Sequence, residues 1–325
     1  MRGHSLIPEF FCPFPAALSP HTEAVQQLLC DWMQQRRYLR NELSLERFRS
    51  GRFAWLAGRA YPAASFDTLL LVGAYMSWLF VVDDLCDEAE TGCSPERLRG
   101  VFDELLEHMR YPRPLSLEDG PLVAGLVDLW DRLCQRAAPG WAERFTRSFE
   151  GYARGCVWEA QNRAQARVPS VAEYMEWRRH TSALYLFFDL IELSQGLSLR
   201  DDHLEHVQAL RERANDGVSW FNDIVSLEKE LRVGDVHNLV IVLRHERQLS
   251  LPEAVAQASL LLNARMREYV ELEQRLPSLG TECNARLQPY LLGLRSWVRG
   301  NMDWSYESGR YGHERPGGAV ERYGT

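Results

Sequence analysis

The chain has 325 residues, 46% of them hydrophobic and 25% charged, with a formal net charge of -8. That composition excludes a disordered or wholly membrane-embedded protein, and the acidic balance speaks against one that works by neutralising nucleic-acid phosphates. A small anionic substrate stays open, because bound cations and a few arginines reverse the sign of a single cleft. The seven cysteines (Cys12, Cys30, Cys86, Cys93, Cys134, Cys156 and Cys283) show no C-x-x-C pairing, so neither zinc nor redox chemistry is indicated.

Residues 1–20 are proline-rich and read as an N-terminal strap, with Phe10, Phe11 and Phe14 available to dock on a body. No signal peptide is read here, and no run of about 18 apolar residues suggests a spanning helix. A cytoplasmic setting is therefore expected. From residue 21 onward apolar positions recur at helical intervals, while alternating strand-like runs are scarce. The spacing predicts an all-α chain with helices over 22–38, 43–58, 64–87, 95–110, 121–137, 140–166, 171–195, 202–232, 237–247 and 252–300. Their short connections argue for one domain over 21–312, followed by a flexible Gly-rich tail over 313–325.

Within the helix over 64–87, the apolar run Leu79-Phe80-Val81-Val82 ends in Asp83-Asp84-Leu85-Cys86-Asp87-Glu88. Asp83 and Asp87 are four apart and share a face, as do Asp84 and Glu88. Like charges at that spacing repel, and hard oxygen donors of this kind suit Mg2+ and a diphosphate better than zinc. Taken alone, the cluster reads better as a solvated acidic helix end. In the helix over 202–232, Asn222, Ser226 and Glu230 recur every four residues and line one side. Two neutral donors and one carboxylate leave a bound cation with charge to spare for a diphosphate, and Lys229 stands beside them. The competing reading is an ordinary polar helix face.

Together, Asp83-Asp84-Leu85-Cys86-Asp87 and Asn222-Asp223-Ile224-Val225-Ser226-Leu227-Glu228-Lys229-Glu230 resemble the paired motifs of bacterial class I terpene synthases (terpene cyclases). Tyr174-Met175-Glu176-Trp177-Arg178-Arg179 is similar to the segment holding the family's diphosphate-sensing arginine. Arg310-Tyr311 is similar to its C-terminal pair, and Phe11-Cys12-Pro13-Phe14 to its N-terminal segment. The resemblance implies a class I terpenoid synthase-like helical bundle around a central apolar cavity, three Mg2+ ions at its mouth, and an isoprenyl diphosphate substrate. A sesquiterpene synthase using farnesyl diphosphate is the favoured reading. Geranyl or geranylgeranyl diphosphate cyclases are alternatives, followed by a prenyl diphosphate synthase and a non-catalytic helical binding protein.

On that likeness Asp83, Asn222, Ser226 and Glu230 bind metal, with Asp84, Asp87 and Glu88 in support. Arg178 (rather than its neighbour Arg179), Lys229, Arg310 and Tyr311 hold the diphosphate. Ser182 falls at a helix break whose backbone carbonyl faces the substrate, although the glycine common there is missing. Phe80, Phe187, Phe188, Trp297 and Trp304 are expected to line the cavity, against the alternative of plain core packing. Asp189 and Glu192 read first as hydrogen-bonded core carboxylates, and His180, His203 and His237 as structural or exposed. No motif bears on a homodimer.

Overall fold

The computed structural model describes residues 10–87, 91–116, 119–276 and 281–310. Side chains at 87 and 281–284 also fall outside the description, as do Glu88, Tyr311 and the segment 313–325. Thirteen helices follow one another among the described residues, with no strand. They are α1 (Thr22–Gln35), α2 (Glu42–Gly51), α3 (Phe53–Ala60), α4 (Phe66–Asp87), α5 (Pro95–Arg110), α6 (Pro121–Cys134) and α7 (Trp141–Ala164). Then come α8 (Val171–Thr181), α9 (Leu184–Gln195), α10 (Asp201–Val233), α11 (Leu239–Arg247), α12 (Leu251–Gln274) and α13 (Thr281–Glu307).

Helix α4 is the centre of the bundle, packed by α1, α3, α6 and α9, and its side chains from Leu69 to Val82 are buried on nearly every face. A helix apolar all round belongs in a core or a bilayer. By length and composition Phe66–Cys86 does pass as a membrane span, contrary to the expectation from sequence, yet 72% of that window is buried inside the bundle. Beside it, α7 packs on α5, α8 and α9, while α10 packs on α12 and α13. The strap is ordered by contact from Phe10 onward. Phe10 meets Phe221 edge-on at 5.1 Å, Phe14 meets Tyr269 at 5.4 Å, and Asn263 Oδ1 accepts the Phe11 amide at 2.7 Å.

Three predicted helices are each split in two. The helix expected over 43–58 breaks at Arg52, whose φ is +50°. Trp304 closes the break, its indole Nε1 donating to the carbonyls of Gly51 (2.9 Å) and Arg52 (3.0 Å). The helix expected over 171–195 breaks at Ser182-Ala183, and the long one over 252–300 divides into α12 and α13, with α13 running on to Glu307.

Two buried ion pairs tie α7, α9 and α10 together. Arg144 reaches Glu192 at 2.8 Å, and Arg211 reaches Asp189 at 2.7 Å, with Ser148 donating to Asp189 at 2.6 Å. Both carboxylates are core groups, and neither touches Arg178 or Arg179 in these contacts. Removing one partner of such a pair strands a buried charge. Arg144→Met is therefore expected to lower unfolding free energy by about 3–5 kcal/mol in urea titration, and a loss below about 1 kcal/mol would show that the pair is energetically idle.

Candidate active site

A cavity of about 960 Å³ opens between the C-terminal ends of α4 and α10 and the end of α13. Phe53, Phe80 and Trp304 form one aromatic wall, with Phe53 and Phe80 centroids 4.5 Å apart. Phe187 and Trp297 form another, stacked at 5.0 Å. Phe188 does not line the space. It is fully buried, edge-on to Trp297 at 6.4 Å, and turned about 100° along the helix from Phe187, which takes the cavity side. Trp304 owes its place to α13 docking on α3 and to its bonds at the break around Arg52, while Phe80 is carried by α4, which packs on α3.

Asp83 and Asp84 lie on the cavity wall at the end of α4. The Asp83 side chain keeps 44% of its surface accessible, and its Oδ2 is 3.9 Å from Arg310 Nη2. Loss of water around Asp83 pushes its carboxyl upward, with Arg310 opposing the shift and Asp84 adding to it. The Arg310 guanidinium also sits 4.5 Å over the Phe80 ring, so its position is set by charge and by an aromatic face together.

Across the cavity, α10 presents Asn222, Ser226 and Glu230. Ser226 Oγ donates to Glu230 Oε1 at 2.6 Å, Asn238 Nδ2 donates to Glu230 Oε2 at 2.6 Å, and Arg178 Nη2 donates to Asn222 Oδ1 at 3.1 Å. Burial, and after it the nearby Asp223, raises the Glu230 carboxyl to about 8. An amide, a hydroxyl and a carboxylate gathered on one helix side form the hard-oxygen set that a divalent cation of the magnesium type takes. Asp83 and Asp84 offer the same chemistry on the facing wall.

Asp223, to which the sequence reading gave no role, organises this wall. Its Oδ1 accepts from Arg178 Nε at 3.0 Å, and its Oδ2 accepts from Tyr174 OH at 2.7 Å and from the Leu239 amide at 3.0 Å. Arg178 is thereby aimed into the cavity. Arg179 is turned away, bidentate to the buried Asp216 at 2.7 and 2.8 Å. Asn238 was also missed. Its amide holds Glu230 and the Asp223 carbonyl, while its own oxygen caps α11 at the Val240 amide. Position before an apolar run marks it as a helix cap, but not its grip on a site residue.

Ser182 ends α8 and lines the cavity, its hydroxyl bonded to Asn215 Oδ1 at 2.9 Å. Ala183 then takes φ +59°, a left-handed conformation that costs a residue with a Cβ about 1 kcal/mol. This is where the glycine would have been free of strain. Lys229 lines the mouth as well. Arg163 on α7 lines the cavity too and links the two motif-bearing helices: it donates to the Cys86 carbonyl at the end of α4 (3.1 Å) and to Asp235 just beyond α10 (3.1 Å). His237, expected to be structural or exposed, is buried at the cavity edge with its Nδ1 2.8 Å from Asp235 Oδ1.

An all-α bundle with an aromatic cavity, oxygen donors on two facing helices and cations at its mouth defines a metal-dependent enzyme acting on a diphosphate. Residues 74–268 match the family "Terpene synthase family 2, C-terminal metal binding". The chain is 34% identical to germacrene A synthase of Nostoc punctiforme over 94% of its own length and 95% of that protein's. It is 35% identical to the (2E,6E)-farnesyl diphosphate cyclizing (+)-T-muurolol synthase of Roseiflexus castenholzii, covering 92% of each chain. The crystal structure of a-eudesmol synthase superposes with a TM-score of 0.84 at 26% identity, over 93% of this chain and all of that one. The chain belongs to the terpene synthase family and is a class I terpene synthase, a metal-binding lyase.

Asn238→Asp keeps the cap of α11 but sets a second carboxylate against Glu230. The divalent metal concentration for half-maximal activity is expected to rise about tenfold or more in a Mg2+ titration. A shift under about twofold would show that Asn238 does not tune the metal wall.

Proposed function

We propose that the protein ionises farnesyl diphosphate and cyclises it to a sesquiterpene, with three Mg2+ ions at the cavity mouth. The observation that carries this reading is the convergence of Asp83 on α4 and Asn222, Ser226 and Glu230 on α10 upon one aromatic cavity, with Arg178, Lys229 and Arg310 at the same opening. The farnesyl choice rests on the relative whose name specifies that substrate.

Bound magnesium supplies Lewis acidity at the leaving diphosphate. Asp83, supported by Asp84, would hold metal from one wall, and Asn222, Ser226 and Glu230 from the other. Arg178, Lys229 and Arg310 donate hydrogen bonds to the oxygens on which negative charge grows, an interaction stronger in the transition state than in the bound substrate. Arg178 now donates to Asn222 Oδ1, the oxygen that would hold metal, and would turn to the diphosphate when both are bound. Binding of metal and of substrate are coupled through this one side chain.

The allylic cation left behind needs shelter from water. Phe53, Phe80, Phe187, Trp297 and Trp304 offer π faces that stabilise positive charge and carry no nucleophile to trap it. The break at Ser182-Ala183 brings backbone to the same surface, where carbonyl dipoles can face the developing cation.

Incubation with geranyl, farnesyl and geranylgeranyl diphosphates and Mg2+ tests the reading: diphosphate release with cyclic C15 hydrocarbons or alcohols from the farnesyl substrate is expected. No release from any of the three would sink it. Asp83→Ala and Asn222→Ala are each expected to cut turnover at least about 100-fold with helical circular dichroism retained. Near-wild-type rates in both would dismantle the proposed metal site.

A further inference from the structure

Asn301 is the polar member of the three α13 residues that line the cavity, the other two being Trp297 and Trp304. It stands on α13 four residues after Trp297 and three before Trp304, so the three side chains share a helix face, and all three line the cavity. The residue is only 6% exposed, and its Oδ1 is buried with no hydrogen-bond partner among the described residues. Its backbone carbonyl, by contrast, is satisfied by Ser305 Oγ at 2.8 Å. A buried amide oxygen left unpaired is costly, and a leucine of similar size would avoid that cost while filling the same place.

We infer that Asn301 is a specificity-determining residue of the cyclisation, its amide oxygen fixing where positive charge settles in the carbocation enclosed between Trp297 and Trp304. The inference rests on the terpene-cyclase reading of the same cavity. Tryptophan faces attract a cation over a broad area and leave its position loosely defined. A carbonyl oxygen is a point of partial negative charge, strong at short range in a water-excluded space, and far less nucleophilic than a carboxylate. Between two indoles it makes one location of the charge better than its neighbours. Ionisation is driven at the mouth by Arg178, Lys229, Arg310 and the metal-binding residues, so the effect falls on the choice among products and not on departure of the diphosphate.

Asn301→Leu and Asn301→Gln, assayed with farnesyl diphosphate and Mg2+, separate the possibilities. The leucine variant is expected to release diphosphate within about threefold of the wild-type rate, while the share of the dominant product falls about fivefold or more by gas chromatography–mass spectrometry. The glutamine variant keeps a neutral amide oxygen on the same face and is expected to stay nearer the wild-type profile. An unchanged profile in Asn301→Leu, or equal redistribution in both variants, would overturn the assignment in favour of packing. Asn301→Ala, which only removes atoms, takes the place of the leucine variant if the latter does not fold. Failure of the wild-type protein to release diphosphate defeats the reading of the site itself, an outcome distinct from a normal rate with an indifferent Asn301.

Discussion

The buried pair of Arg178 and Asp223 is the contact on which the site depends. A carboxylate with 1% of its side chain exposed survives in the core only when its lone pairs are used, and Asp223 uses them on Arg178, Tyr174 and the Leu239 amide. These three donors come from α8 and the start of α11, while Asp223 itself is on α10. One charged group thus sets the register of three helices, and Asn222, its neighbour in the chain, is turned to the cavity by the same constraint. Asn238 extends the lattice to Glu230. Arg178 apart, the groups that hold this wall, Tyr174, Asn238 and the Leu239 amide, do not line the cavity.

Electrostatics at the mouth run against the character of the whole chain. A protein of net charge -8 would repel a diphosphate, yet Arg178, Lys229 and Arg310 border the cavity. Among them stand Asp83 and Asp84 on one wall and Glu230 on the other, carboxylates that favour a bound cation between them. The surface charge and the local field are separate matters, because a recessed mouth with low-dielectric walls strengthens the nearest charges.

Behind the mouth the chemistry changes from ionic to aromatic. Arg310 sits at the boundary, reaching Asp83 on one side and lying over Phe80 on the other. Trp304 does structural and cavity work at once: its ring faces the space, and its indole nitrogen closes the break between α2 and α3. Asn301 places a single dipole among these rings, and that economy matches a cavity that must hold a cation without trapping it.

Much of this was legible in the chain. Periodicity showed an all-α protein, and the spacing of Asn222, Ser226 and Glu230 put three oxygens on one helix side, because a helix imposes that geometry locally. The two acidic and polar motifs, read together, pointed to a magnesium-diphosphate site and to the terpene synthase family. What lay beyond the chain depended on contacts between distant segments. Arg178 and Arg179 are adjacent and chemically identical, and only the positions of Asp223 and Asp216 decide which enters the cavity. Phe187 and Phe188 differ in the same way, through the packing of α9 on Trp297. The breaks at Arg52 and Ala183 carry no glycine or proline at the left-handed residue itself, since tertiary hydrogen bonds, not local preference, set them. Local geometry determined which groups share a helix face, while tertiary packing decided which of those faces meet.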